Sequence, residues 1–400
     1  MSPEHVLVVG AGLGGIRTVE QLRRVGYEGS ITLVGAEERL PYDRPPLSKQ
    51  LLAGDWEPAR IALKDAAALE ELGARTCFGL RAVALRPGEV EFADGSIMAA
   101  DAIVLATGLS ARKLPGQPDS VHTLRTLDNA LSLREDMATA KTLLVVGAGF
   151  IGAEVASTAM AKGIATTIVE AAPVPLLRGL GEEVGAIAGR LMAESGVELR
   201  LGVAITGFAN SDAGAAVDLS DGSRVEADVA VVGIGGRPEV DYLSDTGLDL
   251  VDGVPCDANG RVVGLNGVWA VGDMAAWTDP ALGGHRRHEH WTSTSDQALV
   301  VARAITGAEV PPPAVPYFWS DQFGLKIQLI GRPDIADEIV ALRGEGLAGG
   351  LIKGTVVGYL WKGLLVAVAG FGAARHVARC RALLMQSTDR TAAVEFARSF

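Results

Sequence analysis

The sequence is short of cysteine. Among 400 residues only Cys77, Cys256 and Cys380 carry a thiol. Their odd number and wide spacing argue against a disulfide framework, and the lack of a CxxC pair or Cys/His cluster argues against a metal site. A reduced, cytoplasmic setting is the expectation. Positive charge is also scarce, with 36 Lys and Arg against 48 Asp and Glu, a formal net charge of -12. Such a chain repels nucleic acid and anionic membranes, so neither is expected as a partner. An acidic protein partner would have to find a local basic patch. Prolines number 18 against 50 glycines, which points to many tight turns rather than a low-complexity tract. No apolar run is both long and unbroken. From Val356 to Ala374 the only charge is Lys362, but Gly358, Gly363, Gly370 and Gly372 interrupt the run. A hairpin turning at Trp361-Lys362-Gly363-Leu364 fits better than a membrane span of about 20 residues. The first apolar run, Val6 to Val9, passes directly into a glycine loop, so no signal peptide is expected there.

What remains is a chain with 48% hydrophobic and 21% charged residues, able to build two or three domains at about 100 to 200 residues each. Val6 to Val9 reads as a buried strand, Gly10-Ala11-Gly12-Leu13-Gly14-Gly15 as a loop, Ile16 to Val25 as a helix, and Ile31 to Val34 as a second strand followed by Glu37 and Glu38. The same order returns downstream. Thr142 to Val146 is a strand, Gly147-Ala148-Gly149-Phe150-Ile151-Gly152 a loop, Ala153 to Lys162 a helix, and Thr166 to Val169 a strand closed by Glu170.

A lone GxGxxG is a weak signal, but two copies, each between a strand and a helix and each followed by an acid, specify two dinucleotide sites. Gly10 and Gly147 permit the tight turn. Gly12 and Gly149 let backbone amides approach a pyrophosphate at the positive helix end, and Gly15 and Gly152 let helix and strand close together. Glu170 accepts hydrogen bonds from ribose hydroxyls and repels a 2'-phosphate, so the second site favours NAD over NADP. Arg178, further along, can reach the ribose or phosphate or simply face solvent. Two dinucleotides in one chain need different tasks, and a flavin paired with NADH supplies them.

Further segments identify a family resemblance. Pro41-Tyr42-Asp43-Arg44-Pro45-Pro46-Leu47-Ser48-Lys49, Ala106-Thr107-Gly108, Leu124-Arg125-Thr126-Leu127, Ala270-Val271-Gly272-Asp273 and Phe318-Trp319-Ser320-Asp321-Gln322 resemble the FAD-dependent, NADH-oxidising ferredoxin reductases of bacterial oxygenase systems. The resemblance covers essentially the whole chain. It implies an α/β fold with two Rossmann-like dinucleotide-binding domains, as in glutathione reductase, plus a small α+β C-terminal domain. Residues 1–110 and 237–312 would form a discontinuous FAD-binding domain, 111–236 the NAD-binding domain and 313–400 the C-terminal domain. Pro311-Pro312-Pro313 is the clearest linker. Val229 to Val232 with Gly233-Ile234-Gly235-Gly236 would return the chain to the FAD domain.

Carried over by position, Gly10, Gly12, Leu13, Gly14 and Gly15 would hold the FAD pyrophosphate, with Arg44, Lys49, Ala82, Ala106, Thr107, Gly108, Arg125, Gly272 and Asp273 as further contacts. Trp291 would meet the flavin ring, and Trp319, in the aromatic C-terminal motif, would be a further cofactor contact. Asp273 would act as a carboxylate at a helix start. Many relatives place an acid directly after the glycine ending the second strand. Here that position is Ala36, and Glu37 is chosen over Glu38 for the adenosine ribose. Gly147, Gly149, Ile151, Gly152, Glu154, Glu170, Arg178 and Gly235 would serve NAD. The resemblance implies a catalytic pair, Lys49 near flavin N5 and Glu154 facing the nicotinamide carboxamide. The residue-level alternative is that Glu154 merely favours the dipole of its helix's first turn and Lys49 is a surface lysine.

Residues 38 to 55 contain no cysteine, whereas disulfide reductases of this fold use a cysteine pair and NADH peroxidases and oxidases a single one. Electrons would therefore leave the flavin to a protein partner, and the resemblance implies transfer from NADH to FAD and on, singly, to a [2Fe-2S] ferredoxin that feeds a terminal oxygenase. Arg375, Arg379 and Arg381 on the last expected helix could receive that acidic partner. A monomer or weak homodimer is the family expectation. The alternatives are a rubredoxin reductase and a non-enzymatic NADH-sensing flavoprotein resembling apoptosis-inducing factor.

Overall fold

The computed structural model describes residues 3–211 and 214–399. The chain divides into two compact units, one of Met1–Asp43, Ala59–Ser110 and Gly236–Ala314, the other of Arg44–Pro58, Ala111–Gly235 and Val315–Phe400.

The first unit is built on a five-stranded parallel sheet. In spatial order its strands are Val268–Ala270, Ala102–Leu105, His5–Val9, Ser30–Val34 and Ala74–Cys77. Val6, Leu7 and Val8 are fully buried, which explains the unbroken apolar run: a parallel strand covered on both faces has no solvent side to make polar. Leu13–Arg24 packs on this sheet through Ile16, Val19 and Leu22. Each such side chain taken fully out of water contributes about 1.5–3 kcal/mol. A three-stranded antiparallel sheet, Ala82–Arg86, Glu89–Phe92 and Ile97–Ala99, is inserted before Ala102–Leu105.

The second unit repeats the plan. Its parallel sheet runs Glu198–Leu201, Ala165–Glu170, Thr142–Val146, Val229–Val232 and His122–Thr123. Again the strand entering the glycine loop is central, and again a three-stranded antiparallel insert, Ile205–Ser211, Gly214–Leu219 and Arg224–Ala227, precedes the strand that returns beside it. The helix after the second loop is Phe150–Ala161. It starts three residues before the expected Ala153, because the loop's last turn is already helical, just as Leu13–Arg24 starts before Ile16.

The same unit carries an antiparallel sheet of Tyr317–Gln322, Leu325–Gly331, Leu364–Phe371, Val356–Trp361 and Glu338–Arg343, with helices Ala374–Met385 and Arg390–Ala397. The expected hairpin is present. Lys362 and Gly363 both have positive φ, 52° and 78°, the pairing that a two-residue turn of primed type requires. No helix among the described residues is long and apolar enough to cross a membrane. The arginine-bearing helix Ala374–Met385 is followed by Arg390–Ala397 and so is not the last helix. The expected fold class, two parallel dinucleotide-type sheets with a smaller α+β part, is the one observed.

Candidate active site

Both glycine loops are shaped by collision. A Cβ on Gly10, whose φ is +113°, would lie 2.2 Å from the Ala106 carbonyl oxygen, and a Cβ on Gly15 would lie 1.8 Å from the Gly10 oxygen. In the second loop a Cβ on Gly147 would lie 2.6 Å from the Gly233 oxygen, and one on Gly152 2.1 Å from the Gly147 oxygen. The middle glycines differ: Gly12 has nothing within 4 Å of its Cβ position, and Gly149 only the Gly233 oxygen at 3.9 Å. Gly12 and Gly149 are also the N-caps of their helices. Lacking a side chain, they leave the first-turn amides dependent on an outside acceptor. Open space in front of exposed donors at a positive helix end fits a pyrophosphate in each unit.

The acids are held in place. Glu37 Oε2 accepts from the Tyr42 hydroxyl at 2.7 Å. Glu170 Oε2 accepts from the Ala148 amide at 2.7 Å and Oε1 from the Ala172 amide at 2.8 Å. That fixes the Glu170 carboxylate against its own loop with lone pairs to spare for ribose hydroxyls.

The other first-unit residues take these positions. Leu13 and Gly14 open the first helix. Ala82 begins an insert strand opposite Phe92. The Ala106 amide donates to Val9, Thr107 Oγ1 donates to the Glu239 carbonyl at 2.7 Å, and the Gly108 carbonyl accepts from the Glu239 amide. The Gly272 amide is bound by Gln297 Oε1 at 2.8 Å. Asp273 does not start a helix: it sits in the turn between Val268–Ala270 and Ala275–Thr278, where its carbonyl accepts from Arg287. The run Ala270-Val271-Gly272-Asp273 looks like a helix entry only because its turn chemistry is similar. Trp291 is the first residue of Trp291–Thr306, and its indole N–H donates to Asp43 at 2.8 Å with Arg17 over the ring.

In the second unit, the Arg44 guanidinium donates to the Arg125 carbonyl. Ile151 is exposed on Phe150–Ala161, and Arg178 is exposed on Leu177–Leu180 beside Gly235. Trp319 stacks on Tyr317 with centroids 5.8 Å apart.

The structure brings Lys49 and Glu154 together. Lys49 Nζ is 2.9 Å from Glu154 Oε2, with side chains only 12% and 4% exposed. Glu154 is the fifth residue of Phe150–Ala161, past the first turn, so the dipole reading gives way to a buried ion pair. Around it are residues that sequence reasoning did not name as site residues. Ser48 Oγ donates to Glu154 Oε2 at 2.5 Å and Ser320 Oγ to Oε1 at 2.6 Å. Gln322 Nε2 donates to Ser320 Oγ at 2.9 Å. Ser48 and Ser320 lie inside the two motifs already singled out, which was the available signal.

Two of the thiols, Cys256 and Cys380, are buried. Burial pushes the Cys380 thiol up to about 11 and the Cys256 thiol higher still, so both stay protonated and poorly nucleophilic.

Two glycine loops with room for a pyrophosphate, one per unit, and a buried Lys–Glu pair fit a nucleotide-dependent oxidoreductase. Residues 4–298 match the pyridine nucleotide-disulphide oxidoreductase family, and residues 317–398 match the reductase C-terminal family. The chain belongs to the pyridine nucleotide-disulphide oxidoreductases. It is 41% identical over 348 residues to the ferredoxin reductase component of chlorobenzene dioxygenase from Cupriavidus sp. (strain PS12), covering 85% of this chain and 83% of that one. The ferredoxin–NAD(+) reductase subunit of the benzene 1,2-dioxygenase system of Pseudomonas putida is 38% identical over 344 residues, with the same coverage. The putidaredoxin reductase of a covalent putidaredoxin reductase–putidaredoxin complex superposes with a TM-score of 0.92 at 28% identity, over 100% of this chain and 99% of that one.

Proposed function

We propose that this protein is an NADH-dependent ferredoxin reductase of an oxygenase system, using FAD and NAD(H). The observation that carries the reading is the pair of glycine cradles combined with a buried Lys49–Glu154 pair and no cysteine between residues 38 and 55. FAD, when bound, accepts a hydride and releases electrons one at a time. Gly10, Gly12 and Gly15 cradle its pyrophosphate and Glu37 its adenosine ribose, with Asp273 and Trp291 as further contacts. Gly147, Gly149 and Gly152 hold the NADH pyrophosphate, and Glu170 binds the ribose hydroxyls while rejecting a 2'-phosphate. Lys49 and Glu154 form the catalytic pair: Glu154 orients the nicotinamide, and Lys49 supplies a poorly screened positive charge.

The acceptor is proposed to be an acidic [2Fe-2S] ferredoxin. Support comes from Arg343, Arg375 and Arg379, which, after desolvation, are what hold the His376 imidazole below its ordinary value. A locally positive face on a chain of net charge -12 suits an acidic partner. Arg379 is a poor probe of that face, because its guanidinium lies over Phe396 and contacts Ser399, so reversing it disturbs the helix pair as well. Arg375 is the better choice.

The test is anaerobic stopped-flow mixing of the FAD-loaded protein with NADH and then with a [2Fe-2S] ferredoxin, following flavin and iron–sulfur absorbance. Prompt ferredoxin reduction is expected. Flavin reduction with no transfer to ferredoxin, rubredoxin or another one-electron acceptor would overturn the reading in favour of an NADH-sensing flavoprotein.

A further inference from the structure

Strand alternation places Ser320 and Gln322 on one face of Tyr317–Gln322, and both are buried, at 0% and 1% exposure. Buried polar side chains in a strand need partners. Ser320 finds its partner on the helix Phe150–Ala161 and Gln322 donates to Ser320, while the segment meets that helix along a single stripe. Phe318 packs on Phe150 with centroids 4.3 Å apart, Ser320 reaches Glu154, and the Phe323 amide donates to Ser157 Oγ at 2.7 Å. Residues 150, 154 and 157 stand four and three apart, so they share one helix face. The strand is thus pinned along the helix that carries the catalytic acid.

The direction of the central bond follows from donor inventory. An ionised carboxylate only accepts, so the Ser320 proton must go to Glu154 Oε1. The Gln322 amide donates into the Ser320 oxygen, which leaves that hydroxyl proton no competing role there. Meanwhile Lys49 and Ser48 occupy Oε2. With donors on both oxygens, the carboxyl group cannot rotate about its terminal bond without breaking a hydrogen bond. Thr158 Oγ1 in turn donates to the Ser48 carbonyl at 2.8 Å, tying that donor to the same helix.

We propose that Ser320, keyed by Gln322, is a positioning residue for the Glu154 carboxylate in the reaction with NADH. The C-terminal segment thereby contributes to nucleotide handling. This inference rests on the reading of the chain as an NADH-oxidising reductase.

A double-mutant cycle tests it, using FAD-loaded wild type, Ser320→Ala, Glu154→Gln and the double variant. Flavin reduction is followed against NADH concentration, NAD+ affinity of the oxidised protein by calorimetry, and folding by thermal unfolding. Ser320→Ala should lower the second-order rate of reduction by NADH about fivefold, the scale of one hydrogen bond, and weaken NAD+ binding in parallel. In the Glu154→Gln background the same change should cost less than twofold. Ser320→Thr, which keeps the hydroxyl, should recover most of the loss. Electron delivery from dithionite-reduced Ser320→Ala to ferricyanide should match wild type. Equal losses in both backgrounds, or no loss with Glu154 intact, would overturn the proposal while leaving the reductase reading standing. Wild type that NADH fails to reduce would overturn both. Should Ser320→Ala not fold, Ser320→Cys, similar in shape but a weak donor, carries the same cycle.

Discussion

Lys49 Nζ stands 2.9 Å from Glu154 Oε2, and neither side chain is more than 12% exposed. Burial makes this pair costly to break, because whichever charge remains is left uncompensated in poorly solvated surroundings. Glu154→Ala removes the acceptor for Lys49, Ser48 and Ser320 at once. A loss of about 3–5 kcal/mol in unfolding free energy is expected, measured by urea denaturation of the FAD-loaded protein. A loss under about 1 kcal/mol would mean that the pair is effectively solvated.

On the proposed reading the two glycine loops hold different nucleotides, and substitutions should separate them. Gly15→Ala puts a methyl 1.8 Å from the Gly10 oxygen, and Gly152→Ala puts one 2.1 Å from the Gly147 oxygen. The first substitution should yield protein largely devoid of flavin colour. The second should purify yellow yet bind NADH at least tenfold more weakly. Flavin content by absorbance and NADH titration check the pair, and a reversed pattern would reassign the sites.

Glu170 should set the coenzyme preference. Removing its carboxylate and supplying a guanidinium, as in Glu170→Ala with Ala172→Arg, is expected to lower kcat/KM for NADH and raise it for NADPH. The ratio of the two should move by at least tenfold, read with ferricyanide as acceptor. An unchanged ratio would place the ribose elsewhere.

Thiol chemistry should be dispensable. Cys256 and Cys380 are buried and their thiols held above the usual range, so at pH 8 a thiol reagent should label Cys77 alone in the folded protein. Cys256→Ala and Cys380→Ala should keep full NADH-dependent electron transfer. The sign of the pH effect is also fixed. A thiol whose pKa is raised on folding stabilises the native state fully at low pH, and that contribution drains away as pH rises from about 9 to about 11 for Cys380. Wild type should therefore lose stability over that window more steeply than Cys380→Ala.

Charge reversal at Arg375 should slow ferredoxin reduction at low salt and lose its effect at high salt, while leaving flavin reduction by NADH unchanged. Salt-independent behaviour would remove this helix from the docking surface.

Much of the architecture is legible in the sequence because it is locally encoded. The apolar runs Val6–Val9 and Thr142–Val146 follow from the two-sided burial of parallel strands, and the glycines at 10, 15, 147 and 152 from close backbone contact. Gly10 and Gly147 meet Ala106 and Gly233, which only the tertiary fold brings near, but Gly15 and Gly152 meet carbonyls just five residues back. The hairpin at Lys362-Gly363 is equally local. Helix starts are less legible, since a glycine loop and a first helical turn share the same residues, and the turn at Asp273 resembles a helix entry for a similar reason. The family resemblance named Lys49 and Glu154, but only tertiary structure shows Ser48, Ser320 and Gln322 closing around them. Those side chains come from segments far apart in the chain. No periodicity records their meeting, because it is decided by how a strand of the C-terminal sheet settles along one face of the nucleotide helix.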